Sequence, residues 1–192
     1  MPLLAFSVAT SFTPGPNLIL ITASGANFGF RRTIPHMLGI VVGFPLMMMA
    51  IGLGLDEAFR AFPLVHEILK YAGGAYLLYL SYRVAVADSP SDPGAIARPF
   101  TFLQAAAFQW VNPKAWLIVI GAMSAFTTVG GDHMREILII AIVFGLVSVP
   151  AVGVWTMFGV AIGRLLQSPR ARRIFNLFMA LLLAGSVVLF FV

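Results

Sequence analysis

The sequence contains no cysteine. Disulfide staples, thiolate metal sites and thiol redox relays are therefore excluded. Charge is the second scarcity: 10% of residues are charged, while 60% are hydrophobic. A soluble domain carries about a quarter charged residues. Water is thus the wrong solvent for this surface, and a mean hydropathy of +0.96 points to lipid. The basic residues, 12 against 7 acidic ones, raise the pI to about 10.2. They lie scattered near the ends of apolar stretches rather than in one stripe, which suits membrane topology and argues against nucleic acid. The N-terminal region, residues 1–30, has no Lys or Arg. A secretory signal needs a basic region before its apolar run, so this run is expected to be a retained first span. The three histidines, His36, His66 and His133, show no metal-ligand spacing and read as interface residues. With no nucleophile–base arrangement at membrane depth either, no metal, no cofactor and no enzymatic activity are expected.

What is present is a series of apolar stretches near the length of about 20 residues that crosses a bilayer. Six qualify: 3–25, 35–55, 65–87, 101–126, 137–163 and 174–192. Lys70 and Arg83 fall within the third, close enough to its ends to snorkel. The turn-rich segment Ala87-Asp-Ser-Pro-Ser-Asp-Pro-Gly94 is the one linker-like connection. The expected organisation is a single membrane domain: residues 1–84, a cytoplasmic linker over 85–99, and residues 100–192. Eight basic residues (Arg31, Arg32, Arg83, Arg98, Arg164, Arg170, Arg172, Arg173) flank one membrane face, against Arg60, Lys70 and Arg135 on the other. The positive-inside bias places the first group in the cytoplasm and both termini in the periplasm. Pro14-Gly-Pro-Asn-Leu-Ile-Leu-Ile aligns with Pro113-Lys-Ala-Trp-Leu-Ile-Val-Ile, and Phe44-Pro45 with Val149-Pro150. Two halves of three spans each must run in opposite directions. The expected fold is therefore an all-α integral membrane protein of six transmembrane helices, arranged as two three-helix inverted repeats.

Two places could carry chemistry. Thr13-Pro14-Gly15-Pro16-Asn17 interrupts the first span: two prolines remove backbone donors, and the freed carbonyls need protein or water. Asn112-Pro113-Lys114 interrupts the fourth. Pro113 suits the first position of a new helical segment and Asn112 suits its cap. Lys114 then lies inside the bilayer, where an ammonium costs about 2.5–3.5 kcal/mol even on the lenient insertion scale. A lysine beside a half-helix N-terminus makes a site for an anionic group such as a carboxylate, helped by the N–H groups after Pro113. The glycine pairs Gly25/Gly29, Gly39/Gly43 and Gly159/Gly163 allow close helix approach. Packing within one chain is the simplest use for them, with a homodimer left open.

These features together resemble the LysE/RhtB family of amino-acid exporters. That family has a Pro-Gly-Pro in its first helix, a Gly-x-x-x-Gly in its second (here Gly39 and Gly43), and an Asn-Pro-Lys opening its second half. The resemblance covers the whole chain. It implies export of amino acids or related small metabolites across the bacterial inner membrane, driven by the proton gradient. In one respect the chain departs from the pattern: where many members carry an acidic residue after the second glycine, it has Phe44. A dibasic substrate would lack a partner, so neutral amino acids are expected, and the proton-coupling group is left unidentified. The competing expectations are a heavy-metal or other small-solute exporter of the same superfamily, disfavoured by the missing cysteines, and a structural subunit, disfavoured by the buried lysine.

Overall fold

Proline and side-chain caps set most of the helix starts. Pro2, Pro16, Pro113 and Pro169 each occupy the first turn of a helix, where the missing N–H has no intrahelical partner to lose. Thr101 forms a reciprocal capping box with Gln104, and Asp132 and Ser168 cap through their side chains. In the computed structural model, which describes residues 1–55, 63–87, 99–128 and 131–190, every regular element is helical. In chain order these are α1 (Pro2–Phe12), α2 (Pro16–Phe28), α3 (Phe30–Ala50), α4 (Pro63–Ala85), α5 (Phe102–Phe108), α6 (Pro113–Phe126), α7 (His133–Leu165) and α8 (Pro169–Gly185). Residues 88–98 of the expected linker lie outside the described residues, as do Arg60, Arg98 and the side chain of His66.

Three helical segments are long and apolar enough to cross a membrane: Phe30–Gly54, His133–Leu165 and Pro169–Leu189. α1 and α2 together make a fourth, bent by 52° between them. Leu146 of α7 and Leu181 of α8 are 68% and 63% exposed. Side chains of this kind facing outward are what lipid contact requires, and the chain is a membrane protein. Length and composition thus single out three or four spans among the described residues, not the six expected. α4 spans 23 residues but carries Glu67, Lys70, Arg83 and all four tyrosines of the chain. The expected fourth span is divided into α5, of 7 residues, and α6, of 14.

Glycine brings the helices together. A Cβ on Gly25 would lie 2.5 Å from the carbonyl oxygen of Thr156 in α7. Reciprocally, side chains at Gly159 and Gly163 would strike the carbonyls of Thr22 and Ala26 in α2. Gly39 and Gly43 similarly seat α3 against α5: a Cβ at Gly43 would meet Ala106 Cα at 2.6 Å. Gly29 is the exception among the expected packing positions. No described residue lies within 4 Å of its Cβ direction, and its φ of 79° turns α2 into α3. α3 and α1 both pack on α7, and α4 packs on α8, where the Ser81 hydroxyl donates to the Ala180 carbonyl at 2.7 Å. Phe44, Met47, Met48, Val119 and Phe144 form one buried core beside the two interrupted spans.

Candidate functional site

α1 ends at Phe12, and the chain runs extended through Thr13 before α2 begins at Pro16. The Thr13 hydroxyl turns back to the Ala9 carbonyl. Glycine at the cap position of α2 supplies no side-chain cap. The second interruption follows α5 through a tight turn over Gln109–Val111 and an extended Asn112. Here the cap expected from the sequence is present: Asn112 Oδ1 accepts from the Lys114 amide at 3.2 Å. The Asn112 carbonyl accepts from the Ala115 and Trp116 amides at 3.0 and 3.3 Å. The amides that follow Pro113 are therefore already engaged, which corrects the expectation that they help attract an anion. The uncapped helix start is that of α2.

Lys114 joins the two interruptions. Its ammonium donates to the carbonyl of Thr13 and, at 3.3 Å, to that of Pro14. A cation at the C-terminal end of α1 matches the negative end of the helix dipole. The stem of the lysine passes over Gly15, where a Cβ would come within 2.5 Å of Lys114 Cδ. Gly15 has extended backbone, so space, not conformation, calls for glycine there. Beside this junction lies a cavity of about 490 Å³, partly open, lined by Thr10, Ser11, Thr13, Gly15, Asn17, Asn112 and Lys114. Leu18, Ile40, Phe44, Ala115, Ile118, Ser148, Ala151 and Val152 complete the lining. Five of the eight expected site residues thus line one cavity. Pro14, Pro16 and Pro113 are not among the lining residues. Gly39 and Gly43, by seating α5, hold the approach to Asn112.

The electrostatics are one-sided. Among the described lining residues there is one cation and no acidic group. An ammonium has three donors, and two of Lys114's carbonyl contacts are accounted for. An uncapped helix start, a lysine with spare donor capacity and several hydroxyls suit a carboxylate with small polar groups attached. Phe44, the position of the departure from the acidic pattern, faces this cavity.

Sequence reasoning missed Gln109. Its side chain is completely buried and exchanges two hydrogen bonds with Asn17, Asn17 Nδ2 to Gln109 Oε1 at 2.8 Å and Gln109 Nε2 to Asn17 Oδ1 at 3.2 Å. The available signal was an uncharged amide inside an apolar run, which needs a partner when buried. Nothing local marks Thr10, Ser11 and Ser148 as lining residues. His36, expected to be an interface residue, is packed inside the protein. It is 1% exposed, its ring lies 5.0 Å from that of Phe100, and neither ring nitrogen has a partner among the described residues. Each unmet buried polar group costs about 1–3 kcal/mol.

A family model described as LysE type translocator matches residues 8–192. The cysteine/O-acetylserine efflux proteins of Escherichia coli (strain K12) and Shigella sonnei (strain Ss046) are each 28% identical over 187 residues, 97% of this chain and 94% of theirs. No solved structure matches the chain.

Proposed function

The chain belongs to the LysE type translocator family, a family of transporters and not of enzymes, and we propose that it exports small neutral amino acids or related metabolites across the bacterial inner membrane. The observation that carries this reading is Lys114, held between two interrupted helices in a cavity with no acidic group among its described lining residues. The carboxylate of the substrate approaches the uncapped start of α2 and the Lys114 ammonium. Its α-ammonium turns toward the Thr13 and Pro14 carbonyls and the neighbouring hydroxyls. Phe44 leaves a second positive charge without a partner, so lysine and arginine are poor substrates. The related efflux proteins are named for cysteine and O-acetylserine, both of which fit that description.

The six-span arrangement belongs to the same proposal. α1 with α2, and α5 with α6, each cross once as a broken helix, and α4 supplies the remaining span with its charged ends at the interfaces. α3 packs on α5 as α7 packs on α1, and α3 with α7 and α4 with α8 pair across the centre. These pairings support a reading as two inverted three-helix repeats, while the close packing of α2 on α7 has no equally extensive counterpart between α6 and α3. The loop charges place both termini in the periplasm. Inward movement of a proton drives export.

Purified protein in liposomes tests the substrate. Exchange of labelled cysteine, kept reduced, and of O-acetylserine is expected, with little exchange of lysine. Preference for lysine, or no exchange of any amino acid, would overturn the reading. Reporter fusions at residue 192 are expected to be active for a periplasmic enzyme and silent for a cytoplasmic one.

A further inference from the structure

A second cavity, of about 460 Å³, lies further along α2, lined by Ser24 and Asn27 of α2, His36 of α3, Arg83 of α4 and Phe100. The two cavities are in series. On α3, Ile40 lines the first and His36 the second, one helical turn apart, or about 6 Å at 1.5 Å per residue. On α2, Asn17 lines the first and Asn27 the second. Leu18 and Ile40, which line the first cavity, pack with Ala105 in one apolar layer.

His36 is the odd group in this arrangement. An imidazole has two polar nitrogens, and both are buried and without a partner among the described residues. The ring packs under Phe100, and no described carbonyl or carboxylate fixes it as one fixes a structural histidine. The groups facing it are few. Arg83 is the one charged residue among the described lining residues, and α2 contributes Ser24 and Asn27, which do not titrate. On its own helix Arg31 and Arg32 lie exposed, toward the helix start. No acidic residue is among the described lining residues.

We propose that His36 is the proton-carrying group of this transporter. The inference rests on the proton-antiport reading above and adds the residue to it. When the apolar layer opens toward the outer cavity, a proton from the periplasm binds one ring nitrogen, and the ring becomes an imidazolium. When Phe100 swings away and the inner cavity opens, Arg83 disfavours that second positive charge, and the proton leaves to the cytoplasm. The neutral ring then packs again beneath Phe100. Substrate held one helical turn away moves in the opposite direction in the same cycle. No bond other than N–H forms or breaks, and no further reactant is needed.

The test uses the whole protein in liposomes, with labelled cysteine as the probe. His36→Gln keeps a polar neutral side chain and His36→Phe keeps a ring against Phe100. Each is compared with wild type in exchange at equal pH and in transport driven by a pH gradient. The expected result is exchange near the wild-type rate with stimulation by the gradient lost in both variants, and no change in His133→Gln. If wild type responds to the gradient and both variants respond equally, the assignment to His36 is overturned while proton antiport stands. If wild-type exchange ignores the gradient, proton antiport fails and His36 with it. If exchange is lost together with the gradient response in both variants, although each purifies as folded protein, His36 serves structure or substrate and the proposal is overturned.

Discussion

At the break between α5 and α6 the chain meets its own needs: Asn112 accepts from the Lys114, Ala115 and Trp116 amides through its side chain and carbonyl. At the break between α1 and α2 local provision is thinner: the Thr13 hydroxyl donates to the Ala9 carbonyl, and the Gly15 carbonyl accepts from the Ile19 amide at 2.9 Å. Gly15 offers no cap, and the Thr13 and Pro14 carbonyls find their donor in Lys114, 100 or more positions downstream. In lipid an unmet backbone group costs several kcal/mol, so the first break depends on the second. A closed break is a structural corner. An open one, whose polar groups are met by a movable side chain, can exchange that side chain for a ligand.

Removing the link should have the largest effect. Lys114→Ala is expected to reduce amino-acid efflux from preloaded liposomes at least about tenfold, since a hydrogen bond to a charged group contributes about 1.5–3 kcal/mol and about 1.4 kcal/mol is a factor of ten. Membrane insertion should be unimpaired, because a buried charge is lost. Lys114→Arg keeps the charge but replaces a point with a planar fork, and partial loss is expected. Wild-type efflux from Lys114→Ala would show that the two breaks are not functionally joined.

Gly15→Ala probes the same link from the other side. Its Cβ would fall 2.5 Å from Lys114 Cδ, displacing the stem, so efflux should drop severalfold while the protein stays folded. Gly29→Ala is the contrasting case: no neighbour obstructs it, but φ is 79° and ψ 172°. There the cost should appear in stability, about 1–3 kcal/mol, with efflux per folded molecule retained. Equal behaviour of the two glycines in thermal melts and efflux would erase the distinction.

Phe44→Glu places a carboxylate beside the open break. Lysine efflux should appear or rise relative to cysteine efflux in paired liposome assays; an unchanged ratio would remove Phe44 as a determinant of selectivity. The smallest effect is expected at the closed break. Asn112→Ala removes a cap contributing about 1 kcal/mol, so unfolding should begin at a lower temperature with efflux little changed. A loss as deep as that of Lys114→Ala would make the second break as much a part of the binding site as the first.

Both interruptions were legible in the sequence, because proline and glycine act on the backbone wherever they stand, and Asn112 capped the helix it was expected to cap. The engaged amides after Pro113 were not legible, because whether an N–H is spare depends on the rotamer of its neighbour. Gln109 was missed because its partner Asn17 lies 92 positions away. His36 looked like an interface residue because Arg31 and Arg32 precede it, but Phe100, outside its own helix, covers it.

Composition by itself determined the solvent, the helical class and the absence of thiol chemistry. Those follow from transfer free energies and covalent inventory, which do not depend on how the chain is folded. The order of prolines, glycines and charges determined where helices start, stop and break, since these are effects of neighbouring residues. Only the tertiary structure decided that the two breaks meet, that Lys114 caps the carbonyls of one while its own amide is capped at the other, and that a buried histidine whose nitrogens have no partner among the described residues lies one turn from the candidate site. Each of these depends on atoms close in space and far apart in the chain, and hydrogen bonding and burial act only over such short distances.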